Sequence, residues 1–190
     1  MAESNITKRA IAQSLKELAN EKSFDKISIA DITARCGLNR QTFYYHFRDK
    51  YELLNWIFYR EAFVPLLHGT TFDNWHEKVL EILSIMKREK RFYMNTVKNG
   101  DGYFQEYLMS VTCNLFQEAI DALDIGNKIA EKDKEFFSRF FAYGVSGIIA
   151  EWVISGMQDT PEHLAGELKF LAVSCEELAN KRFLEMREPK

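Results

Sequence analysis

A pair of short helices broken at a glycine, between Ser28 and Asp49, limits what this chain can fold into more than any other stretch. The run ISIADITARCGLNRQTFYYHFRDK opens with Ser28 and Asp31 at capping-box spacing, each side chain satisfying the other residue's orphan amide. A first helix from Ser28 would bury Ile29, Ile32 and Cys36. It would stop at Gly37, where a residue without a Cβ takes the left-handed conformation that a sharp turn needs. Asn39 then caps a second helix, Arg40 to Arg48, whose Phe43 and Phe47 lie one turn apart and face inward together. At about 100° per residue, Gln41, Tyr44, Tyr45 and Arg48 point away from those rings, with Arg40, Thr42 and His46 on the flanks. Such a helix has an apolar back and a front of hydrogen-bonding, aromatic and cationic groups.

Two readings compete: an ordinary helical hairpin with a solvated face, and a helix-turn-helix whose second helix enters the DNA major groove. Outward tyrosines favour the second, because they suit packing on sugar and phosphate better than facing water. Asp49 caps the following helix, with Glu52 at its third position and Lys50 in its first turn. A cation there opposes the helix dipole by roughly 0.3 to 1 kcal/mol, a cost that a phosphate partner reverses. Charge is divided accordingly. Residues 1–60 hold ten Lys or Arg against seven Asp or Glu, whereas the remainder holds fifteen against twenty-one, so the net −3 conceals a mildly basic leading part.

The same run closely resembles the DNA-binding signature of the TetR family of bacterial transcription regulators, over roughly Thr7 to Arg60. Ile32, Gly37, Thr42, Tyr44, Phe47, Lys50 and Leu53 fall at the family's positions; Cys36 and Asn39 stand where Ala and Ser are commoner. The resemblance implies that Arg40, Gln41, Thr42, Tyr44 and His46 belong to the recognition helix and that Lys50 is a phosphate contact. With Ser28 and Tyr45 these residues make the expected DNA-binding set.

The rest of the chain reads as helical. Only three prolines and nine glycines interrupt 190 residues that are 46% hydrophobic, which predicts an all-α fold with an ample core. Helix 1 is expected from Thr7, as cap, to Asn20, completing a three-helix head with Phe24, Ile27, Ile32, Phe43 and Phe47. A connecting helix follows over Lys50 to Phe63. Pro65 and the turn-rich 66–74 mark a boundary between a DNA-binding domain, 1–60, and a larger helical regulatory and dimerisation domain, 61–190. Helices are predicted over Trp75 to Arg88, Phe92 to Val97 and Tyr103 to Leu123, with a turn at Asn99 to Gly102 and a loop at Asp124 to Asp133. The basic run from Lys87 to Arg91 reads as a solvated helix end. Glu135 to Ile154 is apolar nearly all round and must be covered on more than one side. Gly144, Gly147 and Ala150 form a strip of small residues on it, and a last helix runs from Thr160 to Met186.

Cys36, Cys113 and Cys175 are too dispersed for a disulfide framework or zinc site, which suits a reducing cytoplasm, and neither a signal peptide nor a membrane span is expected. No phosphate-binding glycine loop, HExxH or nucleophile elbow occurs, so neither an enzyme nor a cofactor or metal is expected. By the resemblance, the protein is an all-helical homodimer binding a near-palindromic double-stranded DNA operator, pairing through its last two long helices. Gly144, Gly147, Ile148, Leu168, Leu171 and Cys175 are the expected dimer residues. An effector pocket is expected between Trp75 to Arg88, Tyr103 to Leu123 and Glu135 to Ile154, with Gln117, Glu151 and Trp152 as its candidate residues. The carboxyl-terminal half, including WHEKVLEIL and RFYMN, resembles regulators of dihydroxyacetone kinase operons. The function implied is a repressor whose operator affinity answers to a small-molecule effector; the alternative is an activator controlled through a protein partner.

Overall fold

The computed structural model describes residues 2–64, 74–99, 102–124 and 129–185, and every regular element among them is helical. All but Asn74 of the boundary expected at Pro65 and 66–74, and the centre of the Asn99 to Gly102 turn, lie outside the described residues. Helix α1, Ala2–Glu21, begins five residues before the expected cap Thr7. Its polar leading residues carry no apolar period, but a helix seated on a core extends at little cost. Ile11, Leu15 and Leu18 bury its inner face.

A 3-10 turn, Phe24–Lys26, leads to α2, Ile29–Cys36, whose capping box between Ser28 and Asp31 is complete. The Lys22 ammonium, then the Ser28 amide and hydroxyl, hold the Asp31 carboxyl well below the usual carboxylate range. Gly37 closes the helix at φ 68°, and Asn39 opens α3, Arg40–His46, by accepting from the Thr42 amide. Helix α3 ends two residues short of Arg48 because Phe47 is already extended, at φ −143°. Asp49 caps α4, Lys50–Phe58, through the amides of Tyr51 and Glu52. The chain then passes through a π-helical turn, Tyr59–Phe63.

The body consists of α5, Trp75–Arg88, α6, Lys90–Asn99, α7, Tyr103–Leu123, α8, Glu131–Ile154, and α9, Pro161–Glu185. Helix α8 starts four residues before its expected beginning. Head and body share one core: Phe58 meets Phe104 at 5.1 Å and Tyr93 at 5.9 Å between ring centroids. Asn95 on α6 fastens the seam, its amide donating to Ala19 and Lys22 carbonyls at 2.8 and 2.9 Å while its oxygen accepts the Phe24 amide at 2.9 Å. Lys16 adds a bridge from α1 to Glu61 at 2.7 Å and Glu89 at 2.5 Å. Lys87 is not a solvated helix end, because its ammonium donates to the carbonyls of Met157 and Asp159, beyond the end of α8.

Helix α8 packs mainly on α7, and its two sides differ. Inward go Lys134, Ser138, Ala142, Ser146, Ile149 and Val153; outward, exposed, go Phe136, Phe140, Tyr143 and Ile154. The inner face therefore carries the small and polar residues beside Ile149, Trp152 and Val153, and the outer one most of the phenyl rings. Lys134 is 5% exposed yet charged, bridging Asp121 at 2.8 Å and Asp124 at 3.1 Å, and both carboxylates push its pKa up. Ser138 donates to Gln117 at 3.1 Å on the same seam.

Candidate nucleic-acid interface and regulatory cavity

Helix α3 stands on Phe43 and Phe47, buried at 0% and 2% exposure, so its opposite face is fixed outward. Arg40, Gln41, Tyr44 and Tyr45 are exposed there, with Thr42 and His46 half-buried beside them. Tyr45 reaches 82% exposure, a poor state for a ring in water and a natural one against a sugar-phosphate wall. Thr42 donates its hydroxyl to the capping Asn39 oxygen at 3.0 Å, which orients the start of the helix. Burial, and then the Lys8 charge, push the His46 imidazole pKa down, which favours the neutral ring. Ser28 is exposed on the neighbouring helix, but its hydroxyl is spent in the capping box, donating to Asp31 at 2.7 Å.

Lys50 occupies a different place from the one expected. Its ammonium donates to the carbonyls of Phe24, Asp25 and Ile27 at 2.9, 3.0 and 3.1 Å, and it lies 4.7 Å over the Phe24 ring. An ammonium has three N–H donors, and all are matched by the open carbonyl end of the 3-10 turn. The residue thus closes the turn that carries α2. Arg48 is an exposed cation beside the end of α3, its side chain 84% exposed with a long 3.4 Å contact to Asp49. Its outward direction is legible in the sequence, yet the expected DNA-binding set omits it.

In the body, an apolar cavity of about 240 Å³ opens between α5, α7 and α8. Its walls include Trp75, Met86, Leu108, Phe116 and Ile149, and its polar groups are Thr112 and Glu118. The location agrees with the amphipathic faces of the three helices, but Gln117, Glu151 and Trp152 do not line it. Gln117 is turned to the α7 and α8 seam, Trp152 is buried with its indole N–H donating to Asp159 at 3.1 Å, and Glu151 is exposed on the outward face of α8. A helical projection centred on Leu108, Thr112, Leu115 and Ala119 finds the lining; the expected set centres instead on the conspicuous polar residue of the most apolar helix.

The outward face of α8 also corrects the expected dimer set. Gly144, Gly147, Ile148 and Leu171 are open to varying degrees, and an added Cβ at Gly144 or Gly147 meets nothing within 4 Å. Leu168 instead is 5% exposed inside the protomer, where α9 packs on α5, and Ala150 is 4% exposed, leaving the glycines without it. Cys175 is half-buried.

A family model described as "Bacterial regulatory proteins, tetR family" matches residues 6–57, and one described as "Transcriptional regulator C-terminal region" matches residues 73–173, more than half of the chain. The chain belongs to the TetR family. This TetR-type protein is a DNA-binding transcription regulator, and regulators of its family act as dimers. It is 27% identical over 158 residues to the HTH-type dhaKLM operon transcriptional activator DhaS of Lactococcus lactis subsp. lactis (strain IL1403), covering 82% of this chain and 84% of that one. Its fold matches the structure of the dihydroxyacetone kinase operon activator DhaS with a TM-score of 0.73 at 24% identity, covering 91% of this regulator and 97% of that chain. It also matches native NalD, the secondary repressor of the MexAB-OprM multidrug efflux pump in Pseudomonas aeruginosa, with a TM-score of 0.59 at 19% identity, covering 87% and 93%. No helix among the described residues is long and apolar enough to cross a membrane.

Proposed function

We propose that the protein is a homodimeric repressor, working in the cytoplasm, which binds a near-palindromic operator through α3 and releases it when a small effector fills the apolar cavity. The cavity carries this reading. An apolar cavity of about 150 Å³ holds benzene, so 240 Å³ suits one ring with a short substituent. Thr112 and Glu118 supply one neutral and one charged partner for a polar group. Filling the cavity changes how α5, α7 and α8 pack, and α7 touches the linker α4. An effector favouring another tilt of α4 must then weaken operator binding, and DNA must weaken effector binding by the same factor.

Thermal shift against small aromatic and alkyl compounds tests this. A true effector at about a hundred times its Kd adds about 2.7 kcal/mol and lowers operator affinity in a gel shift. Ala119→Trp, which fills the cavity from α7, should abolish both responses while the protein stays folded. If no compound raises Tm in the wild type, the second reading takes over: activation through a protein partner, which the dhaKLM activator relative favours.

For base reading we assign Arg40 and Gln41, because they open the recognition helix where its amino-terminal residues meet base edges. Arg40→Ala should cost the operator about 1 to 3 kcal/mol and relax preference at one base pair, leaving random DNA nearly unaffected. Binding-site selection followed by sequencing reads this out. An equal loss on operator and random DNA would move Arg40 to the phosphates.

A further inference from the structure

Buried hydroxyls on the helices of this protein follow one rule and break it once. Ser14, Thr33, Thr96, Ser138 and Ser146 each donate to the carbonyl one turn back, those of Ala10, Ile29, Phe92, Lys134 and Ala142, at 2.6 to 3.0 Å. A helix satisfies in this way a hydroxyl that water cannot reach. Thr112 on α7 is comparably enclosed, at 7% exposure. Its hydroxyl nevertheless makes no hydrogen bond, either to the Leu108 carbonyl one turn back or to any other described residue. The sealed side-chain atoms that lack a hydrogen bond among the described residues belong to Glu89 and Tyr93. Thr112 differs from them in lining the apolar cavity, so its oxygen faces that space.

Along α7 the lining passes from buried Leu108 and Thr112, through half-buried Leu115 and Ala119, to exposed Glu118 and Ala122. Glu118, the charged group of the lining, therefore stands at the mouth, about 9 Å along the helix axis from Thr112. The deep end has a hydroxyl as its polar group. An ammonium or carboxylate lodged there would be stripped of water with no counter-ion. A neutral hydroxyl fits, because it gives and takes a hydrogen bond as the Thr112 hydroxyl does.

We propose that Thr112 is the anchor of the effector site, and that the ligand is a neutral molecule with a hydroxyl on an apolar body, a phenol or a small alcohol. The assignment rests on the effector reading and narrows it to a ligand class. A ligand bonded to Thr112 bears on the helix that, about two turns earlier, sets Phe104 against Phe58 of the linker at 5.1 Å between ring centroids.

Calorimetry on the full chain with p-cresol and p-xylene tests it, since the two have nearly the same shape and differ by a hydroxyl in place of a methyl. Water holds p-cresol the more firmly, so a purely apolar cavity prefers p-xylene, and a polar partner inverts the order. p-Cresol should bind about tenfold or more tightly. Thr112→Val, which exchanges the hydroxyl for a methyl, should remove about tenfold of that affinity and leave p-xylene binding as before. Ala119→Trp should abolish binding of both probes. Ligand-free Thr112→Val should melt no lower than the wild type, because the fold loses no hydrogen bond. A preference for p-xylene, undiminished p-cresol binding by Thr112→Val, survival of that binding in Ala119→Trp, or a lower melting temperature of ligand-free Thr112→Val would each overturn the assignment. A preference for p-xylene leaves the effector reading standing, since the cavity then still takes an apolar ligand. No heat from either probe overturns the assignment too, and the thermal-shift screen with its gel shift then decides the effector reading separately.

Discussion

Gly147→Glu is expected to give a folded monomer whose operator affinity is lower by about a hundredfold or more. Gly147 lies on the outward face of α8, in line with Phe140 and Glu151 at helical spacing, and the rings of Phe136 and Phe140 on that face are 65% and 64% exposed. Phe170 on α9 is 70% exposed as well. Large exposed apolar patches mark interaction sites, and a second copy would supply the same face by two-fold symmetry. Inside the protomer an added Cβ at Gly147 meets nothing within 4 Å, so the fold should tolerate the substitution. Between protomers it puts a carboxylate into a closely approached apolar contact, where desolvation costs several kcal/mol. The two heads then lose their linkage and bind half-sites independently. Sedimentation velocity and a gel shift on full and half operators read the result, with thermal melting to show that the fold survives. A variant that still sediments as a dimer would exclude this face from the interface.

Lys50→Ala is expected to lower stability by about 2 to 3 kcal/mol without altering the salt dependence of operator binding by the molecules that remain folded. The loss follows from three carbonyls, those of Phe24, Asp25 and Ile27, left without the ammonium that now joins them. The turn they end carries α2, and α2 carries the recognition helix, so the head should loosen before the body does. Urea titration gives the first quantity and a log-log salt plot the second. The phosphate role implied by family resemblance makes the opposite forecast: unchanged stability and a slope smaller by about one unit. Arg48→Ala should show that slope change instead, since its guanidinium is the exposed cation at the end of α3.

Local chemistry makes the head legible in the sequence. Ser28 with Asp31, Gly37, Asn39 and Asp49 are signals that act within four residues, and each stands where the spacing places it. Lys50 escapes for the converse reason: its carbonyl partners lie 23 to 26 residues upstream, and nothing in a periodicity announces a contact across a turn. In the body, helical spacing finds the helices but not their rotation. Leu168 shares an apolar stripe with Leu171, yet one is buried against α5 and the other is 51% exposed. Glu151 draws notice as a charge in an apolar helix, although the inward charge of α8 is Lys134. A stripe of hydrophobic residues says that something will cover it and leaves open what.

Helix α8 shows how such an ambiguity is resolved. A cylinder apolar on every side has no preferred rotation when oil is the only instruction, since each face would bury about as well as the next. Lys134 breaks that degeneracy. Its ammonium is enclosed with Asp124, while the second carboxylate, Asp121, stays half exposed, and turning α8 by one residue, about 100°, would part the ion from both carboxylates and leave two buried charges stranded. Burying a different apolar face would not offset that loss. This ion cluster thus works as a key in a lock: it contributes little net adhesion but admits one angle, and that angle turns the rings of Phe136, Phe140 and Tyr143 away from the core of the protomer.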